Sequence, residues 1–195
     1  MADYWYLWLI LVLLIVILFV AGGKASKASN KRHAAMQKEI EAIEKEKALR
    51  EKFKTLTPEL LQATPMPELL EGVTAGIQVR IEHTADLTAA FNNLPEHERF
   101  CYALNYFFAD SRDALSEFFK KNGEPLTSLA PKALAAAGST LAQIVRDMLS
   151  MYDAENEAVS YDEATVAELN KKFAATADFE LLSRQIEDYI HSNFL

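Results

Sequence analysis

The groups in this 195-residue chain best able to do chemistry are four histidines, one cysteine and 28 carboxylates. His33, His83, His97 and His191 fall at no metal-ligand spacing such as His-Glu-x-x-His. The single Cys101 can neither build a multi-cysteine zinc site nor close an intramolecular disulfide. Gly22-Gly23-Lys24 lacks both the earlier glycine and the following Ser/Thr of a phosphate loop. Glu96-His97-Glu98-Arg99 sets an acid, a base and a cation side by side. It follows Pro95, however, so it occupies the first turn of a helix, where unpaired N–H groups favour carboxylates for structural reasons. Cys101 adjoins Phe100 on an apolar face and reads as a small buried hydrophobe. Tyr102, Tyr106, Phe107, Phe108, Phe118 and Phe119 read as core aromatics. No catalytic, cofactor-binding or metal-binding residue is expected; an enzyme would need a site assembled from scattered residues.

The carboxylates are the more informative set. Asp153, Glu155, Glu157, Asp162 and Glu163 form the richest cluster, and Asp110, Asp113 and Glu117 a second. Such runs are commonly solvated loop and cap residues. Their functional reading is a surface for a basic partner. Residues 55–195 hold ten Lys/Arg and twenty-two Asp/Glu, a net of −12, whereas residues 1–54 carry a net of +4. An acidic head is repelled by nucleic acid, so direct nucleic-acid binding is not expected.

Elements must hold these groups in place, and the first of them is apolar. Between Asp3 and Lys24 lie twenty uncharged residues, about 30 Å of helix, which matches the hydrocarbon thickness of a bilayer. Tyr4, Trp5, Tyr6 and Trp8 suit the headgroup level. A cleaved signal peptide would want a basic segment ahead of the run, and only Met1 to Asp3 precede it, although Ala21, Gly22 and Gly23 are small enough for a cleavage site. The expectation is a retained anchor over residues 1–23. Lys24, Lys27, Lys31 and Arg32 follow the span directly and would sit at an anionic membrane surface. The positive-inside rule then places the N-terminus outside and the C-terminal bulk in the cytoplasm.

Residues 24–54 read as a basic helical stalk with Glu41–Lys45 and Glu46–Arg50 pairs four apart. Met36, Ile40 and Ile43 begin a coiled-coil stripe that Lys47 and Arg50 interrupt, so a solvated spacer is favoured over self-association. Residues 55–66 read as a proline-containing linker in which Thr57-Pro58-Glu59 puts a cap ahead of proline at a first helical position, with a hinge at Ala63–Pro67. Residues 67–195 read as an all-α head. One helix is expected from Pro67 to Asn92-Asn93, with Leu70, Val73, Ile77, Ile81, Thr84, Leu87 and Phe91 on one face. Others are expected from Pro95, after a Ser111 or Asp113 cap, up to Gly138, after Ser139, after a Ser160/Glu163 capping box, and after Asp178. The fold class is all-α: a single N-terminal transmembrane helix, a helical stalk and a compact multi-helix domain.

Leu94-Pro95, Glu98 and Tyr102 are followed in order by Leu115, Glu117, Phe118, Phe119 and Gly123, by Ala133, Leu134 and Gly138, and by Asp188-Tyr-Ile-His-Ser-Asn193. Over roughly residues 90–195 these sets resemble the opening, middle, end and closing helix of the bacterial DNA-mimic protein family domain. The resemblance implies an acidic helical domain, often dimeric, that presents carboxylates to the DNA-binding face of a basic protein. Where the family has an Asn-Gly-Gly turn this chain has Arg112-Asp113-Ala114, which removes the positive-φ freedom of two glycines. The expected function is therefore a membrane-anchored module at the bacterial inner membrane. It would bind a basic, DNA-binding protein through acidic surfaces; the alternative is a tethered scaffold joined through apolar head surfaces.

Overall fold

Helix caps decide most of the architecture. The computed structural model describes residues 36–37, 40–152 and 162–195, and these contain helices and no strand. The expected membrane span lies outside the described residues; among those described, no helix is long and apolar enough to cross a membrane. The chain divides into two units, Met1–Lys47 and Ala48–Leu195. In the first, the described residues are helical, and Met36, Ile40 and Ile43 are about half exposed.

The second unit begins with residues 48–52, the end of α1 (residues 40–52), and continues through α2 (Pro58–Ala63), α3 (Glu68–Ile81) and α4 (Leu87–Asn92). Then follow α5 (Glu96–Asp110), α6 (Leu115–Lys121), α7 (Leu126–Ala136), α8 (Ala142–Tyr152), α9 (Glu163–Thr176) and α10 (Phe179–Phe194). Helix α5 is the hub, packed against α3 and α7; α8 lies on α7 and α9, and α10 reaches α2, α3 and α5. Apolar residues three and four apart on α5 (Phe100, Ala103, Leu104 and Phe107) are buried as their spacing requires. The Phe107 ring meets Phe118 of α6 and Phe173 of α9 edge-on, with centroids 5.4 and 6.1 Å away.

Several expectations are corrected. The stalk does not run free to Lys54. Leu49 is buried and Phe53 fully so, while Arg50 and Lys52 pair with Glu82 and Glu68 at 2.6 and 2.7 Å. Gly72 and Gly76, one turn apart on α3, leave the surface on which Phe53 lies: a Cβ at Gly72 would fall 2.2 Å from its ring, and one at Gly76 2.4 Å from its carbonyl oxygen. Within residues 55–66 the expected Thr57 cap ahead of Pro58 is present, but the segment packs into the head and does not merely link. Thr57 caps α2, whose Leu61 is fully buried, and the buried Thr64 hydroxyl donates to the Leu60 carbonyl.

The long helix from Pro67 is two helices. Asp86 accepts the Ala89 N–H at 2.9 Å and starts α4, and the Thr84 hydroxyl closes the end of α3 on the Ile81 carbonyl at 2.7 Å. Neither Ser111 nor Asp113 caps α6. Ser111 is buried and donates back to the Phe107 carbonyl, ending α5, and Ala114 precedes α6 without a side-chain cap. Helix α9 is capped by Asp162, which accepts from the Ala164 and Thr165 N–H groups; Ser160 lies outside the described residues. The turn at Arg112-Asp113-Ala114 uses extended backbone at Ala114 and no positive φ, and the Arg112 guanidinium covers the Phe108 ring at 4.8 Å.

Candidate partner-binding site

Geometry treats the expected acidic residues unequally. Asp153, Glu155 and Glu157 lie outside the described residues, as do Lys24, Lys27, Lys31 and Arg32. Asp110 is spent inside the fold: it accepts from Lys121 at 3.1 Å and from the Asn122 amide at 2.9 Å, tying the ends of α5 and α6 together. Glu117 pairs with Lys120 at 2.9 Å, and that bond holds its carboxyl below the usual range. Asp162 is a helix cap, and its hydrogen bonds to the Thr165 hydroxyl and to the Thr165 and Ala164 amides hold its carboxyl low. An ionised cap still presents negative charge to solvent, and Asp113, Asp162 and Glu163 are all exposed. Among the described candidates, Asp110 and Glu117 are thus partly taken up by internal pairs, while Asp113, Asp162 and Glu163 stay open to solvent.

The Glu96–Arg99 run is divided among structural duties. The Glu98 carboxylate is buried and meets Arg80 of α3 at 2.7 Å, and the His97 ring packs edge-on against Phe194 at 4.8 Å. Cys101 is fully buried; burial, and secondly the Glu98 charge, push its thiol up, away from the nucleophilic thiolate. Among the described residues no group of three or more His, Cys, Asp or Glu is placed to hold a metal ion.

A cleft that no local sequence pattern marks lies beside α4 and the end of α3. Its volume is about 310 Å³, and its lining includes Ile81, Leu87, Phe91, Tyr102, Glu124 and Leu126. Phe91 and Tyr102 meet edge-on at 5.3 Å and form its aromatic wall. Burial, together with the Tyr106 hydroxyl 3.4 Å away, pushes the Tyr102 phenol up, so it stays protonated and able to donate. Leu87 is 55% exposed, an apolar side chain left open at the cleft. The Thr84-Ala85-Asp86 segment carries the missed signal, since an Asp three residues before an amide it can cap marks a helix start within an apolar periodicity.

No protein-family model, curated protein or solved structure matches the chain.

Proposed function

We propose that the chain is a membrane-anchored binding module whose acidic all-α head engages a basic partner protein on the cytoplasmic side of a bacterial inner membrane. The observation that carries this reading is the division of charge at the unit boundary. Residues 48–195 hold thirteen Lys/Arg and twenty-three Asp/Glu, a net of −10, while a basic segment follows the apolar N-terminal run. A field of that sign attracts cationic proteins and repels nucleic acid. Exposed Asp113, Asp162 and Glu163 support it; Asp110 and Glu117, paired internally, contribute less. A DNA-binding protein is one such partner, held near the membrane while its DNA-binding face is occupied, and a homodimeric head would double the acidic surface. The scaffold reading is favoured by one observation, the half-exposed Leu87 at the apolar cleft.

The full-length chain in zwitterionic lipid discs, immobilised and exposed to the source lysate, tests the reading. Basic proteins should be retained, released by moderate salt and displaced by duplex DNA, because screening weakens charge-driven contact steeply. Retention of proteins that are not basic, or that ignore salt, would overturn it.

A further inference from the structure

We propose that the cleft beside α4 docks a bulky apolar side chain of the basic partner, with a neighbouring Lys or Arg of that partner seated on Glu124. This rests on the basic-partner reading above and adds the point of contact. The floor is apolar (Ile81, Leu87, Phe91, Leu126), and among the described residues no Lys or Arg lines it. At about 310 Å³ it lies at the small end of ligand pockets, which run from about 300 to 1,000 Å³, so it admits one anchoring side chain and not a whole helix face. Two carboxylates line it. Glu82 already has Arg50 at 2.6 Å. Glu124 is exposed and accepts only hydroxyl hydrogen bonds, from Thr127 and Ser128; no cation pairs with it among the described residues. A negative charge without a cation beside an open apolar floor is complementary to an amphipathic basic segment. It is not complementary to an acidic or a purely polar one.

The test uses the full-length chain in zwitterionic lipid discs and a fluorescent helical peptide bearing one leucine or tryptophan beside several lysines. Two control peptides replace the anchor by serine or the lysines by glutamate. Leu87→Glu is the decisive variant. It adds an acid, which strengthens a purely electrostatic contact, but it removes the apolar floor. Because residue 87 is half exposed and opens α4, a glutamate there suits the helix electrostatically and leaves the fold intact. The expected result is about a tenfold loss of affinity with Leu87→Glu and a similar loss with the serine peptide, the equivalent of about 1.4 kcal/mol. Leu87→Ser should weaken binding in the same direction, and Glu124→Gln should weaken it while flattening its salt dependence. If the lysine peptides bind equally well with or without the anchor, and Leu87→Glu binds as tightly or more so, the cleft is not the docking point and the acidic-surface reading stands alone. If no lysine peptide binds even at low salt, both readings fall.

Discussion

Phe53 and Gly72 give the strictest test of where the folded head begins. A methyl group added by Gly72→Ala would meet three atoms of the Phe53 ring at 2.2 to 2.4 Å, and that ring is fully buried, so accommodating the methyl displaces a packed core residue. Alanine in a helix is favoured over glycine by about 1 kcal/mol. Overpacking a filled core costs about 1 to 3 kcal/mol. With overlap this deep the cost falls at the upper end, so Gly72→Ala should destabilise by about 2 kcal/mol. Phe53→Ala alone should cost about 3 to 5 kcal/mol. In that background the ring is gone, the helix preference acts alone, and Gly72→Ala should now stabilise by about 1 kcal/mol. Gly76→Ala provides the contrast. Its methyl would meet the Phe53 carbonyl oxygen at 2.4 Å, which any residue at position 53 retains, so it should destabilise in both backgrounds. Urea unfolding of the full-length variants, followed by far-ultraviolet circular dichroism, reads all five states. A stabilising Gly72→Ala in the native background, or no change of sign with Phe53→Ala, would refute the seating of Phe53 on α3 and return residues 48–54 to the stalk.

Two further measurements follow from the ionisable groups. The folded carboxyl of Asp162 is held below its unfolded value of about 3.9, so the cap's contribution is present above that pH and is lost as pH falls through the folded value. The stability difference between the native chain and Asp162→Asn, which keeps a capping oxygen but removes the charge, should be constant from neutral pH to about pH 5 and should close at lower pH; urea midpoints over a pH series would show it, and a difference unchanged in acid would refute the stabilising role of the ionised carboxylate. Cys101, buried with its thiol pushed up, should resist a thiol reagent at neutral pH in the native chain and react stoichiometrically once denatured; rapid native labelling would contradict its burial.

What could be read from the sequence follows the range of the interaction that decides it. Pro95 fixes its own backbone ahead of α5, and Ser139 and Asp178 accept from amides within three residues, so the starts of α5, α8 and α10 are legible from local pattern, and burial of Leu182, Ile186 and Ile190 follows from their spacing. The Asp86 cap is hidden in the sequence because Ile81, Thr84, Leu87 and Phe91 keep the helical period across the break, and periodicity does not register a cap. The end of α1 is not legible for a different reason. Its Lys and Arg side chains look solvent-seeking, yet Arg50 finds Glu82 thirty-two residues away, and that partnership can be seen only after folding. The acidic site was legible as a composition but not as a surface, since the pairing of Asp110 with Lys121 and Asn122 depends on how α5 and α6 close against each other.

The amino-acid sequence by itself determined the all-α class, most of the helix starts and the separation of a basic N-terminal part from an acidic head. Each of these depends on residues close together in the chain or on a simple count. Tertiary structure alone decided that Phe53 lies on the two glycines of α3, that a cleft beside α4 stays open at Leu87, and that Glu124 beside it keeps a charge no cation answers among the described residues. Those features arise where segments distant in sequence compete for the same space, and no local pattern records which of them meets the other.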